Sequence, residues 1–362
     1  MTRIALIPGD GIGQEVVGEA TRLLEELRLR HGLDLDSVTW DLGAERYLRD
    51  GVTITDEEFR ELSDEYDAIL LGALGDPRVE DNRHARDILL GLRFQLDLYV
   101  NYRPNRLPTE EVSPLRSLST AWGPSLSVEI FRENTEGAYA GIGGTLREGG
   151  EDEVALQEEV HTRKGVERLI RAAFEHAQRQ GRESVTLVDK ANALPYAGAL
   201  WRRVFAEVSA DYPGVGTREM YVDAMAQDLV RRPWLHPVVA TSNLFGDILS
   251  DLAAEIMGGL GLAASANLHP GRHALFEPVH GSAPDIAGKG QANPMGALRC
   301  VALLLDRFGH ETWGHRVEEA ISAAIRQGVT TPDLGGAAST EDVGRWVVDR
   351  VSASSNGPPP QG

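Results

Sequence analysis

Short apolar runs alternate with amphipathic stretches along most of the chain. RIALI (3–7) has the length and character of a strand. EVVGEATRLLEELRLRHG then puts apolar residues at 16, 20, 23, 24 and 27, a helical stripe ending near Gly32. AILLGALG (68–75), LDLYVNYRP (96–104), LSVEIFRE (126–133), SVTLVDK (184–190), MYVD (220–223) and PVVATS (237–242) predict further strands, with helices such as 164–180 and 197–209 between some of them. This alternation implies an α/β fold with a parallel or mixed sheet and right-handed crossovers. PGDGIGQE joins the first strand to the first helix, but it lacks the spacing G-x-G-x-x-G in either register, because Gln14 and Val16 stand where the last glycine belongs. An ordinary Rossmann domain is therefore not expected, although the glycines still suit a tight turn whose backbone approaches a ligand. No internal repeat is visible. The segment 141–160, GIGGTLREGGEDEVALQEEV, is Gly-rich, then acidic, then alternating, and reads as an arm projecting towards a partner subunit. Residues 351–362, rich in Ser, Gly and Pro, read as a disordered tail.

Composition narrows the function. At 362 residues the chain has room for about two domains. A formal net charge of −19 argues against nucleic acid and anionic membranes as partners, so a site for an anionic substrate has to be built from a few converging arginines. Cys300 is the only cysteine, which excludes an internal disulfide and any cysteine-based zinc cluster. No stretch reaches the roughly 18 apolar residues of a membrane span, and MTRIALIPGDG is too short in apolar residues for a signal peptide. A soluble cytoplasmic protein is expected.

Candidate chemistry starts with NLFGDILSDLAAE (243–255), which stacks Asp247, Asp251 and Glu255 on one helix face at intervals of four. Like charges at that spacing repel, and no basic residue follows nearby to neutralise them. The face is either simply solvated or a site for a hard divalent cation, which favours carboxylate oxygens. Arg93 in LLGLRF, Arg103 in NYRPN and Arg132 in IFRENTEG are either surface ion-pair partners or a receptor for a dicarboxylate, since guanidinium groups bind carboxylates bidentately. Lys190 and Tyr139 are candidate proton carriers, and Asp223 is a further acid at a predicted strand end, where α/β proteins often hold ligands.

LLGLRF, NYRP, RENTEGAY, VDKAN, YVDAMA, NLFGDILSD and FEPVHGSAPDIAGKGQANP, in this order, resemble the β-decarboxylating dehydrogenases. That family contains 3-isopropylmalate, isocitrate, homoisocitrate and tartrate/D-malate dehydrogenases. The resemblance runs from about residue 8 to about residue 330. It implies a two-domain α/β fold with mixed parallel and antiparallel sheets, residues 1–102 plus 255–350 binding the cofactor. Residues 103–254 then carry substrate, metal and the dimer contact. By the same resemblance Arg93, Arg103 and Arg132 hold the carboxylate that is lost, and Asp247 and Asp251, with Asp223 from the neighbouring subunit, hold Mg²⁺ or Mn²⁺. Tyr139 and a partner-subunit Lys190 handle protons. His280, Gly281, Ser282, Ala283, Asp285 and Asn293 lie in the loop that binds the dinucleotide. The metal lowers the hydroxyl pKa so that hydride can leave, and metal and lysine stabilise the enolate after CO₂ departs. The implied protein is a homodimer with shared active sites acting on a small 2-hydroxy acid.

Within this family the residues point in two directions. Leu89 and Leu90, four and three residues before Arg93, favour an apolar side group such as isopropyl, hence conversion of 3-isopropylmalate to 4-methyl-2-oxopentanoate in leucine biosynthesis. Homoisocitrate enzymes tend to carry arginine at the position of Leu90, and isocitrate enzymes carry small polar residues nearby. RENTEG instead resembles the tartrate/D-malate and isocitrate branches, and Arg86 stands where isopropylmalate enzymes usually have glutamate, so a tartrate/D-malate dehydrogenase or an enzyme for another malate derivative is the alternative. Gln14 and Gln291 also depart from the family's usual proline and aliphatic residue. A carboxylate at Asp285 suits the free 2′-hydroxyl of NAD and repels the phosphate of NADP. A non-catalytic relative would have lost arginines or metal acids, and here all are present.

Overall fold

The computed structural model describes residues 1–115 and 126–353. Twelve strands run among the described residues: β1 (Thr2–Gly9), β2 (Leu35–Thr39), β3 (Ala68–Ala73), β4 (Val100–Arg106), β5 (Ser127–Glu133), β6 (Gly143–Leu146), β7 (Val154–Gln157), β8 (Ser184–Asp189), β9 (Gly216–Tyr221), β10 (Val238–Thr241), β11 (Ala264–Leu268) and β12 (Ala274–Pro278). Ten form one sheet in the order β2-β1-β3-β12-β11-β4-β5-β10-β8-β9. The flanks β2-β1-β3-β12 and β5-β10-β8-β9 are parallel within themselves. β11 and β4 join them through three antiparallel pairings, β12–β11, β11–β4 and β4–β5. The sheet is therefore mixed, as expected. The resulting architecture is α/β.

Helix Gly13–His31 buries Val16, Ala20, Leu23, Leu24 and Leu27, the stripe read from the sequence, and ends at Gly32 with φ of 68°. Only a residue tolerant of the left-handed region closes a helix this way. Helix Met295–Arg307 is buried continuously from Met295 to Leu305, because helices Gly13–His31 and Glu311–Arg326 cover it from outside the sheet. None of the helices among the described residues is long and apolar enough to cross a membrane.

Several boundaries differ from the sequence reading. The fourth strand begins at Val100, not 96, because Arg83–Gln95 is helical and Leu96 is still its C-cap. MYVD is not one strand: β9 ends at Tyr221, and Asp223 lies in the first turn of helix Val222–Arg231. The expected tail begins too early, since helix Thr340–Ala353 runs through Val351, whose side chain is buried. Residues 354–362 lie outside the described residues. The segment 141–160 is a hairpin, β6 paired antiparallel to β7 with every strand residue exposed. The expected domain boundaries fall inside β4, at 102–103, and inside helix Asn243–Ile256, at 254–255.

Candidate active site

The middle of the sheet builds the site. The antiparallel register sets Asn101 of β4 opposite Arg132 of β5 and, on its other side, opposite Asn267 of β11. Arg103 lies two residues along β4 and so shares their face. Helix Arg83–Gln95 supplies Arg93 near its C-terminus, together with Arg86, Leu89 and Leu90 from the same side. Helix Asn243–Ile256 lies across β5 and brings Asp247 and Asp251. Its close approach depends on Gly246: a Cβ there would stand 2.5 Å from Cγ of Arg132.

The three guanidiniums are almost fully buried, at 7%, 7% and 2% exposure for Arg93, Arg103 and Arg132. Burying a charge this far requires a counter-charge and hydrogen bonds. Arg93 donates to Glu277 at 2.7 Å. Arg103 donates to Asp251 at 3.0 Å and Ser250 at 2.7 Å, and lies 3.3 Å from Asp247. Arg132 donates to Asp247 at 2.5 Å and to Asn243 Oδ1 at 2.7 and 3.0 Å. Asp247 also accepts the Tyr139 hydroxyl at 2.7 Å. The acids at 247 and 251 thus do not face each other without relief. Arg103, far away in sequence, bridges them, which corrects the local expectation of unneutralised repulsion.

The electrostatics follow from this packing. Burial works against ionisation of Asp247, yet Arg132 and Arg103 outweigh it and hold the carboxyl below the usual range. Asp251 moves the other way, because burial and the Asp247 charge exceed the help from Arg103. Burial, followed by the hydrogen bond to Asp247, raises the Tyr139 phenol, so it carries its proton at neutral pH. Arg132 is pulled down to about 10 by burial and by the like charge of Arg103, and remains a cation at neutral pH.

These groups open into a cleft of about 360 Å³ lined by Arg86, Leu89, Leu90, Arg93, Arg103, Arg132, Tyr139, Asp247, Glu277, His280 and Gly281, among others. His280 presents a ring Nε2 that is buried without a hydrogen-bond partner, while its Nδ1 lies 3.1 Å from the Gly281 carbonyl. A carbonyl only accepts, so Nδ1 carries the proton, and burial keeps the ring neutral. Nε2 is left as an acceptor with no partner. The following loop packs on the first glycine turn: Ile12 N–H donates to the Ser282 carbonyl at 2.9 Å. A Cβ on Gly11, whose φ is +53°, would stand 2.1 Å from that oxygen. Gln14, in the place of a fingerprint glycine, donates to the Gly9 carbonyl at 2.6 Å and braces the same turn. Ala283 has a positive φ of 38°, and Asp285 is exposed. Asn293 is turned inward, donating to Asp333 at 2.9 Å and accepting from Met295 N–H at 3.0 Å.

Lys190 and Asp223 are not part of this cleft. They pair with each other, Lys190 donating to the Asp223 carboxylate. Among the described residues no three potential ligands gather into a metal cluster within the chain. The two helix acids nonetheless suit a hard divalent cation, and the orphaned His280 nitrogen beside the glycine turn suits a dinucleotide. Glu277, Asn243, Ser250, Asn101 and Asn267 were not anticipated from the sequence. Glu277 had a readable signal, a lone acid within the otherwise apolar run ALFEP.

Similarity agrees with the geometry. The family model described as isocitrate/isopropylmalate dehydrogenase matches residues 3–347. The 3-isopropylmalate dehydrogenase of Thermobifida fusca is 44% identical over 352 residues, covering 97% of this chain and 98% of that one. The Streptomyces coelicolor enzyme of the same name is 45% identical, with coverages of 96% and 98%. The crystal structure of isocitrate dehydrogenase from Methylococcus capsulatus matches with a TM-score of 0.87 at 37% identity, covering 97% of this chain and all of that one. With the motifs, the mixed sheet and the buried arginine–aspartate site in agreement, this chain belongs to the isocitrate/isopropylmalate dehydrogenase family.

Proposed function

We propose that this protein catalyses the NAD-dependent oxidative decarboxylation of a 3-substituted malate, 3-isopropylmalate by preference, giving 4-methyl-2-oxopentanoate and CO₂. The observation that carries this reading is the convergence of three buried guanidiniums with Tyr139 and Asp247 on one cleft whose remaining wall includes Leu89 and Leu90. The arginines supply charge for a dicarboxylate, and the leucines supply an apolar wall for a branched aliphatic group. The relatives named 3-isopropylmalate dehydrogenase, at about 45% identity over nearly the whole chain, support the same substrate.

On substrate binding, the arginines exchange internal partners for external ones. Arg103 and Arg132 turn from Asp247 and Asp251 to the substrate's carboxylates, and the two acids, with Asp223 of the partner subunit, would hold Mg²⁺ or Mn²⁺. A bound cation would polarise the hydroxyl and keto oxygens, and NAD would accept the hydride. Arg93, Arg103 and Arg132 orient the carboxylate at C3 so that its C–C bond breaks as CO₂ leaves. Tyr139, which carries its proton at neutral pH, then protonates the enol carbon, and Lys190 of the partner subunit exchanges protons with the substrate's oxygen. His280, Gly281, Ser282, Ala283 and Asp285 would hold the dinucleotide, with Asn293 bracing the loop's end.

Sharing of sites between two copies is part of the proposal. Lys190 and Asp223 lie outside the cleft of their own chain. The hairpin exposes Leu146, Val154 and Leu156, and the acid-bearing helix exposes Leu244 and Ile248, apolar surface that a second copy would cover. NAD reduction measured on 3-isopropylmalate, D-malate, tartrate, isocitrate and homoisocitrate, with Mn²⁺ and with EDTA, tests the reading. The highest kcat/KM belongs to 3-isopropylmalate. A preference for isocitrate or tartrate would overturn the substrate assignment.

A further inference from the structure

Two of the arginines are joined by a one-way chain of side-chain amides. Arg103 Nε donates to Asn101 Oδ1 at 2.9 Å. Asn101 Nδ2 donates to Asn267 Oδ1 at 2.9 Å, and also to Ser265 Oγ at 2.8 Å. Asn267 Nδ2 donates to Glu277 Oε1 at 2.8 Å, the same oxygen that accepts from Arg93 Nη2 at 2.7 Å. Both asparagines are fully buried.

The polarity of this chain has one solution. A guanidinium has only donors, so Asn101 must turn its oxygen to Arg103 and its amide nitrogen to Asn267. An ionised carboxylate has only acceptors, so Asn267 must turn its nitrogen to Glu277 and its oxygen to Asn101. Burial works against ionisation of Glu277, but the Arg93 charge and the hydrogen bond from Asn267 outweigh it and hold the carboxyl below the usual range. Each amide orientation is therefore dictated from both ends. Asn101 and Asn267 are direct cross-strand partners, so the pleat holds their side chains on one face at fixed spacing.

We infer that Asn267, through Asn101 and Glu277, is a positioning residue that fixes the separation and orientation of Arg103 and Arg93 across the cleft. The role rests on the reading that these arginines receive the substrate's carboxylate. Asn267 does not line the cleft and acts only through them. Asn101 and Asn267 each use both their oxygen and their nitrogen, Asn267 Oδ1 also accepting from Asn134 Nδ2 at 2.9 Å. Buried amides filled in this way hold one arrangement, and a guanidinium displaced by an ångström loses much of its bidentate fit.

Asn267→Asp keeps size and shape but puts an acceptor against the Glu277 carboxylate. Asn267→Leu removes the relay without adding charge and leaves Asn101 bonded to Ser265, and Asn134 bonded to the Leu98 carbonyl. Both variants are expected to raise KM for 3-isopropylmalate at least about tenfold while KM for NAD stays within about twofold. In an Arg103→Ala background, Asn267→Leu should weaken 3-isopropylmalate binding, read as Kd by calorimetry, by less than it does alone. Thermal unfolding run alongside separates loss of folded protein, which lowers kcat per mole without moving KM. A folded Asn267→Leu or Asn267→Asp enzyme with parental KM overturns the positioning role. If Arg103→Ala itself leaves the calorimetric Kd for 3-isopropylmalate unchanged, the reading of the arginines fails first, and the relay's functional meaning fails with it.

Discussion

Lys190 donates a hydrogen bond to the Asp223 carboxylate, and neither side chain lines the cleft where Arg103 and Asp247 meet. One chain therefore carries two sets of candidate site residues that it does not combine. In the proposed homodimer each set completes the other copy's site.

Subunit mixing tests this arrangement. Arg103→Ala and Lys190→Ala are each expected to be inactive. After random exchange about half of the dimers are mixed, each with one intact and one doubly damaged site, so activity should recover to about a quarter of the parent's. No recovery, once mass spectrometry has established heterodimers, would mean that both residues serve the same chain's site.

Asp247→Asn should abolish turnover and also lower stability. Its carboxylate accepts from Arg132 and Tyr139 and faces Arg103, so neutralising it removes charged hydrogen bonds worth about 1–2 kcal/mol after allowance for partial exposure. Urea unfolding measures the loss, and activity assayed with and without EDTA measures the chemistry. Full turnover of the variant in EDTA is incompatible with the metal assignment.

In the proposed function, cofactor choice turns on Asp285, exposed in the loop that follows His280. NAD should be preferred over NADP by at least about tenfold in kcat/KM, equivalent to about 1.4 kcal/mol. Asp285→Ser should narrow that ratio. Equal kcat/KM for both cofactors with the parent enzyme refutes the role.

Acid stability has a separate source. Glu129 is fully buried on β5, with His176 Nε2 at 2.7 Å and Arg182 Nη2 donating at 2.7 Å. Burial alone would raise its pKa, but His176 and Arg182 prevail and hold it below the usual carboxylate range. A folded-state pKa below the unfolded one means that the folded state binds fewer protons. The stabilisation is present above the unfolded value, about 4.3, and is lost as pH falls through the lower folded value. Glu129→Gln should cost about 3 kcal/mol at pH 7 and flatten the decline of stability below pH 5. Unfolding curves between pH 3 and 7 check both, and an unchanged acid slope would contradict the assignment.

Much of the fold was readable because its signals are local. The stripe at 16, 20, 23, 24 and 27 became the buried face of the first helix, and the runs at 68–75, 126–133, 184–190 and 237–242 became strands. The motifs also carried the family and the identities of Arg93, Arg103, Arg132, Tyr139 and Asp247, which the structure gathers around one cleft. What the chain alone did not determine is who faces whom. Asp247 and Asp251 read as two repelling acids because their neutralising partner, Arg103, lies more than 140 residues away and is brought to them by strand pairing. Asn101 and Asn267 carried no signal, since an asparagine in a strand becomes meaningful only when antiparallel register sets it between a guanidinium and another amide. Local periodicity selects helices and strands. The pairing order of the central antiparallel strands, a long-range property paid in chain entropy and decided by the whole core, selects the charges that meet.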